Sequence, residues 1–462
     1  MAGKNDKKVK KVKIRDIYEI TLGNALIHGS WRTKVTLVIS GLGNLLNGQI
    51  IKGLIFLAWQ AATWLAFVFF GLEYVKDFTT LGTKLMDRVF NEALEIYVNI
   101  PGDNSLQILL YSIFAFAILI FGQVIHFASV KSVYTAELAV KRGKRPTTIK
   151  QDLYNLFDRN MHTTMLAPPS VGVLAFTVVP ILFMILLAFT NFDRNHQPPG
   201  NLFTWVGFEN FRSMFDLNGF MGHTFIRVLG WTIIWAIFAT FLNYFFGMIV
   251  ALMINKNGIR FKSFWRTCFV IAIAVPGFVT LLFMRQALEE LGPINTILGY
   301  LKIPAVRFLS NVTSARISVI VVNLWIGIPY TMIITSGILM NIPVDLYEAA
   351  NIDGAGPIRK FQAITLPYML IVTAPYLITQ FIGNINNFNA IFFLTGGGPL
   401  VTDYYNAGKT DLLVTWLYRL TVTSGDYSVA SVIGILTFLV SALIALVTFN
   451  ITASSKKEET FR

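Results

Sequence analysis

The stretch from Val228 to Ile254, VLGWTIIWAIFATFLNYFFGMIVALMI, runs for 27 residues without an Asp, Glu, Lys, Arg or His. About 20 apolar residues carry a helix across the roughly 30 Å hydrocarbon core of a bilayer. The run is continuous rather than alternating, so a helix, not a barrel strand, satisfies its backbone amides inside lipid. Seven further runs read the same way: Ile50–Leu72, Leu106–Val130, Ser170–Thr190, Thr267–Leu288, Arg316–Met340, Tyr368–Leu394 and Val429–Ile451. The chain as a whole agrees, with 54% hydrophobic and 14% charged residues and a mean hydropathy of +0.59. A soluble domain carries about a quarter charged residues. The expected fold is therefore an all-α polytopic membrane protein of about eight transmembrane helices.

Val35–Leu46 is a further apolar stretch, but it is short and interrupted by Gly41, Gly43 and Asn44. It fits an interfacial or re-entrant piece better than a crossing. Eight spans put both termini on one side, and basic residues choose which. Segments 1–34, 131–167, 255–266, 341–367 and 452–462 hold 25 Lys and Arg, against 10 in the loops 73–105, 191–227, 289–315 and 395–428. The first set is assigned to the cytoplasm, with both termini. This distribution accounts for the net charge of +13 without nucleic acid, because anionic lipid headgroups want the excess there. The sole cysteine, Cys268, excludes an intrachain disulfide and reads as a small buried hydrophobe. The basic N-terminus shows no signal-peptide pattern. The acidic loop 73–105 reads as a solvated cap, and the tails 1–13 and 454–462 as flexible and polar. The expected organisation is a basic tail, the short segment and two spans over 1–165, a six-span core over 166–455, and a tail over 456–462.

Between the sixth and seventh spans lies Tyr347-Glu348-Ala349-Ala350-Asn351-Ile352-Asp353-Gly354-Ala355-Gly356, running on to Ile364-Thr365-Leu366-Pro367. Val344–Ile352 reads as a short helix with Pro343 at its start, and Asp353-Gly354 as a turn. Pro357–Ile364 reads as a second short helix, closed off by Leu366-Pro367 before the next span. Such a helix–turn–helix is a knob for docking: Ala349 and Ala350 allow close approach, and Glu348 can pair with a basic group.

The pattern Glu-Ala-Ala, three residues, Gly, nine residues, Ile, one residue, Leu-Pro resembles the signature loop of ABC-importer permeases, here spanning 343–367. The resemblance implies a coupling helix, with Glu348, Ala349, Ala350, Asp353 and Gly354 contacting a cytoplasmic ATPase. No Gly-x4-Gly-Lys-Ser/Thr pattern occurs in the chain, so ATP and Mg²⁺ belong to a separate ATP-binding subunit. This chain is then no enzyme and binds no cofactor of its own. Carriers driven by protons or ions need buried ionisable groups, and the spans hold no clear Asp or Glu at depth. They hold neutral amides instead: Asn323 in the sixth span, and Asn384, Asn386, Asn387 and Asn389 in and after the seventh. Trp325, Tyr330 and Phe388 lie nearby. Amides beside aromatic rings suit sugars; hydrogen bonding between helices is the competing explanation.

Asn386–Pro399, Asn323–Tyr330 and Gly408–Val414 with Tyr418-Arg419 resemble segments of maltose and maltodextrin permeases of the MalF type, a likeness that covers roughly 166–450. Two extra N-terminal spans before a six-span type I importer core fit that family too. The resemblance implies sugar contacts at Asn323, Ile326, Gly327, Tyr330, Asn384 and Asn387. Gly277 and Gly383 fall at further contact positions but depart from the family, as does Ile273: a serine and two aromatic residues are replaced. It also implies a second permease of the MalG type as heterodimer partner, two copies of the ATPase, and an extracellular sugar-binding protein. The short loop 191–227 favours a Gram-positive-like bacterial plasma membrane and a lipoprotein binding protein. The expected function is import of malto-oligosaccharides by alternating access. Another oligosaccharide or glycoside is the nearest alternative and a secondary transporter a remoter one. A membrane enzyme is disfavoured because His28, His126, His162, His196 and His223 are scattered without metal-ligand spacing.

Overall fold

A computed structural model describes residues 20–92, 95–256 and 258–451. The polar tails expected at 1–13 and 454–462 lie outside these. Among the described residues seven helices are long and apolar enough to cross a membrane, and a bent pair makes up to eight. They are α1 (Ile50–Lys76), α2 (Ser105–Lys141), α3 (Met161–Leu187), α4 (Phe220–Asn255), the bent pair α5 (Lys262–Ala274) and α6 (Gly277–Ala287), then α7 (Val312–Leu339), α9 (Pro357–Ile385) and α12 (Tyr427–Asn450). Shorter helices of the second half include α8 (Val344–Ile352), α10 (Phe388–Leu394) and α11 (Leu413–Arg419). The chain divides into two compact units, Met1–Leu186 with Asn195–Trp205, and Leu187–Arg194 with Val206–Arg462. Residue 165, where a division was expected, lies inside α3.

In the first unit, α1 and α2 approach closely where small residues meet. A Cβ on Gly71 would stand 2.6 Å from that of Ala115, and Gly122 faces Thr63. Asn104 caps α2, accepting from Leu106 N at 3.1 Å and Gln107 N at 3.2 Å. The segment 35–46 does not cross. It forms the end of one short helix (Trp31–Thr36) and all of another (Leu42–Leu46), turned at Gly41 with φ +79°. Polar bonds pin it to α2: Ser40 Oγ to His126 Nδ1 at 2.6 Å, Gly41 N to Ser129 Oγ at 2.9 Å, and Asn44 Nδ2 to Ser132 Oγ at 3.0 Å. Glu137, on the same helix, is buried and accepts from Ser30 N at 3.0 Å. The loop 73–105 carries a feature that hydropathy does not foresee, an antiparallel hairpin of β1 (Asp87–Asn91) and β2 (Ile96–Ile100). It is exposed along nearly its whole length.

In the second unit α4 is the central post. Its Gly247 lets α7 close in, a Cβ there lying 2.6 Å from Thr331 Cβ. Trp235 Nε1 donates to the Asn384 carbonyl at 3.1 Å, and the Tyr244 hydroxyl lies 2.8 Å from Thr373 Oγ1 on α9. The expected fifth span is broken rather than continuous: α5 and α6 meet at 87° across Val275-Pro276. Proline has no N–H for the helix ladder and its ring clashes with the preceding turn. Cys268, expected to be buried, is exposed on α5. The seventh span ends at Ile385 rather than 394, and Asn387 then starts α10, accepting from Ala390 N at 3.2 Å. The expected stop at Leu366-Pro367 is absent. A wide π-helical turn, Phe361–Thr365, carries the helix straight through, and Pro367 falls at the first turn of the resumed α-helix, where its missing N–H is tolerated.

Candidate functional site

Asn323, Ile326, Gly327 and Tyr330 are spaced i, i+3, i+4, i+7 and share one face of α7. That face meets Thr240, Asn243 and Tyr244 of α4 and Tyr376, Gln380 and Asn384 of α9, with Asn387 just past the end of α9. Together they line a cavity of about 150 Å³. All six positions expected to touch sugar are thus gathered at one place. No Asp, Glu, Lys or Arg lines it, so its polarity comes from amides and hydroxyls.

The two asparagines of the α9 end are already engaged. Asn384, buried, donates from Nδ2 to Thr240 Oγ1 at 2.9 Å and accepts on Oδ1 from Asn387 Nδ2 at 3.3 Å. Asn387 also caps α10. Asn323 and Asn243 are less committed. Asn323 Nδ2 and Asn243 Oδ1 are buried without a hydrogen-bond partner. Asn386 and Asn389 are exposed outside the cavity. Trp325 is 69% exposed, and Phe388 stacks on Phe392 at 4.7 Å with Tyr418 edge-on at 5.0 Å. Gly277 and Gly383 do not line the cavity and have open space where a Cβ would stand; Ile273 is exposed outside it as well. Thr240, Asn243, Tyr244, Tyr376 and Gln380 belong to the cavity without having been singled out by sequence. The only prior signal for them was a polar residue inside an apolar run.

The loop after α7 forms a second feature. Helix α8 ends in a Schellman arrangement: Ala355 N donates to Ala350 O at 2.9 Å and Gly354 N to Asn351 O at 3.1 Å, with Gly354 at φ +70°. Glycine adopts that conformation without a Cβ penalty. The Tyr347 hydroxyl lies 2.8 Å from Thr365 Oγ1, and Lys360 Nζ donates to Asn351 Oδ1, tying α8 back onto α9. Ala349, Ala350, Asp353 and Gly354 line a groove of about 620 Å³ between the two helices, with Arg359 and Lys360 opposite. Glu348 is exposed beside it. So are Val344 at 65%, Ile352 at 87% and Ile358 at 74%. Apolar side chains this open on a polar turn are suited to burial against another protein. Among the described residues no group of three or more His, Cys, Asp or Glu is placed to hold a metal ion.

Comparison with known proteins gives a consistent picture. The sequence profile of the family described as "Binding-protein-dependent transport system inner membrane component" matches residues 243–455. The galactooligosaccharides transport system permease protein GanP of Bacillus subtilis is 36% identical over 91% of this chain and 97% of its own length. The maltodextrin transport system permease protein MdxF of the same organism is 34% identical over 91% of this chain and 95% of its own. The maltose/maltodextrin permease MalF of Escherichia coli is 35% identical over 57% of this chain and 52% of its own. Among solved structures, a chain of a bacterial alginate ABC transporter in complex with a pentasaccharide-bound periplasmic protein superposes with a TM-score of 0.52. It does so at 22% identity, over 64% of this chain and 94% of that one. That likeness establishes the fold, a type I ABC-importer permease core. The chain therefore belongs to the binding-protein-dependent transport system inner membrane components: it is a multi-span permease subunit of an ABC importer, not an enzyme, and ATP hydrolysis falls to a separate ATPase.

Proposed function

We propose that this permease carries oligosaccharides, with malto-oligosaccharides as the first reading, by alternating access in the plasma membrane of a bacterium. The observation that carries it is the cavity between α4, α7 and α9, in which amides and tyrosines converge and no charged group intrudes. Sugar hydroxyls both donate and accept, so neutral amides satisfy them without the cost of burying an ion. The absence of a lining carboxylate also speaks against proton coupling. A galacto-oligosaccharide is the second reading. It is favoured by the 36% identity to GanP along nearly that protein's whole length.

In this reading the loop 343–367 lies in the cytoplasm, as do both termini, and docks through α8 and Gly354 into one of two copies of an ATPase that uses ATP and Mg²⁺. Exposed Val344, Ile352 and Ile358 supply the apolar contact, and Glu348 a charge for a basic partner. ATP-driven closure of the ATPases can drive the permease only if the loop is bound differently in the inward and outward states. A second, MalG-like permease completes the path as heterodimer partner, and an extracellular binding protein, a lipoprotein, delivers the sugar. The test is uptake by the complete transporter in proteoliposomes, with labelled maltotriose and galactotriose offered separately. Saturable, ATP-dependent maltotriose uptake supports the first reading. Uptake of galactotriose alone replaces it with the second, and uptake of neither sinks both.

A further inference from the structure

The cavity contains an unmatched donor and an unmatched acceptor on different helices. Asn323 Nδ2 on α7 and Asn243 Oδ1 on α4 are both buried, both line the cavity, and neither has a hydrogen-bond partner. The other end of the Asn243 amide is fixed: its Nδ2 donates to Ala239 O at 2.7 Å, which leaves the oxygen for the cavity. Gly327 makes this possible. A Cβ there would stand 2.5 Å from Asn243 Cγ and 2.6 Å from its Oδ1, so the amide lies over the glycine backbone in space that any side chain would take. Gly327 and Asn323 are four residues apart on the same face of α7. The glycine thus seats the Asn243 amide on the α7 surface that Asn323 shares.

Buried polar atoms left without partners are costly, and a donor and an acceptor on two residues lining one cavity call for a partner that can both accept and donate. A carboxylate only accepts and an ammonium only donates; a hydroxyl does both. We propose that Asn243 and Asn323 together hold one hydroxyl of the transported sugar. Asn323 Nδ2 donates to the hydroxyl oxygen, and the hydroxyl proton goes to Asn243 Oδ1. Water fills the same role before the sugar arrives and is displaced by it. At about 150 Å³ the cavity is smaller than the roughly 300–1,000 Å³ of pockets that enclose a drug-sized ligand, so it takes one part of the sugar rather than the whole chain. The inference rests on the oligosaccharide reading above and adds to it a specificity-determining residue, Asn243, and a seat for it, Gly327.

The test uses the assembled transporter in proteoliposomes. Uptake of maltotriose and of galactotriose is measured for Asn243→Leu, for Gly327→Ala and for the double variant Asn243→Ala/Gly327→Ala. Co-purification of the partner subunits reports assembly. Loss of one hydrogen bond to the sugar predicts a KM raised about tenfold in Asn243→Leu with assembly intact. Gly327→Ala pushes the same amide aside and raises KM similarly. In the double variant the new methyl group occupies space the amide has left, so packing recovers while KM stays high. If the double variant regains wild-type KM, or if Asn243→Leu leaves KM unchanged, Asn243 only packs α4 against α7 and the inference falls. If the wild type takes up neither sugar, the functional reading fails first and takes this one with it.

Discussion

Arg419 Nη2 stands 3.3 Å from Asp411 Oδ2, and Asp411 is 1% exposed. The same carboxylate oxygen accepts from Gly408 N at 2.8 Å. This pair closes the loop between α10 and α11, within the segment whose Gly408–Val414 and Tyr418-Arg419 resemble MalF-type permeases. Removing one member of a buried ion pair leaves the other uncompensated, at a cost of about 3–5 kcal/mol. Arg419→Met should therefore lower the thermal midpoint of the purified permease markedly, and Arg419→Met/Asp411→Asn should recover part of the loss. A midpoint unchanged in Arg419→Met would mean that the pair contributes nothing to the loop.

Gly354 tests the docking role of the loop. Its φ of +70° penalises a residue with a Cβ by about 1–2 kcal/mol, more for a β-branched one. Gly354→Val should unmake the Schellman turn, misdirect Ile358 relative to Ile352, and reduce ATPase co-purification at least tenfold while membrane insertion persists. Normal co-purification and uptake would remove the loop from the docking interface.

Asn384 and Asn387 should part company under mutation. Asn384 bridges Thr240 and Asn387, whereas Asn387 gives one bond to Asn384 and caps α10. Asn384→Ala takes the partner from Thr240 Oγ1 and from Asn387 Nδ2 and should cost about 1–3 kcal/mol, read as weaker assembly. Asn387→Ala should cost about 1 kcal/mol through the lost cap, and any further fall in uptake at intact assembly measures its contact with sugar. Equal assembly defects with no change in KM would make both purely structural.

Asp103 gives the loop 73–105 of the first unit a pH dependence. The backbone N–H groups of Lys84 and Thr83 donate to its Oδ2 at 2.8 and 2.7 Å and hold its carboxyl below the ordinary carboxylate value. The stabilisation is present above the unfolded carboxylate pKa and is lost as pH falls through the lowered folded value. Hydrogen exchange at the Thr83 and Lys84 amides should be slow at neutral pH and accelerate only in strong acid, after correction for intrinsic rates. Asp103→Asn should abolish much of that protection at neutral pH.

Hydropathy alone places the long helices, because lipid tolerates few alternatives to some 20 apolar residues. The breaks depend on finer chemistry. Pro276 was in view inside Thr267–Leu288, yet an apolar run passes over a proline that the backbone does not. Pro367 misleads in the opposite sense, since a π-helical turn just before it accommodates the missing N–H. The α7 face of the cavity is legible from its spacing of three and four. Asn243 is not, although it stands in the run Val228–Ile254. Its significance depends on meeting Gly327 across a helix interface, which is a tertiary fact. The hairpin at 87–100 buries neither face and so leaves no alternating pattern to read.

The uninterrupted course of α9 has one more consequence. Its 29 residues measure about 43 Å at 1.5 Å each. They carry Arg359 and Lys360 of the groove at one end and Asn384 of the cavity at the other. Under the proposed coupling, α9 joins groove to cavity as one helix whose places to flex are the π-helical turn Phe361–Thr365 and Pro375. A Gly-Gly joint cut into the exposed Leu370-Ile371 turn should then let the motor idle: ATP would still be hydrolysed by the assembled complex, with little sugar moved for each molecule spent.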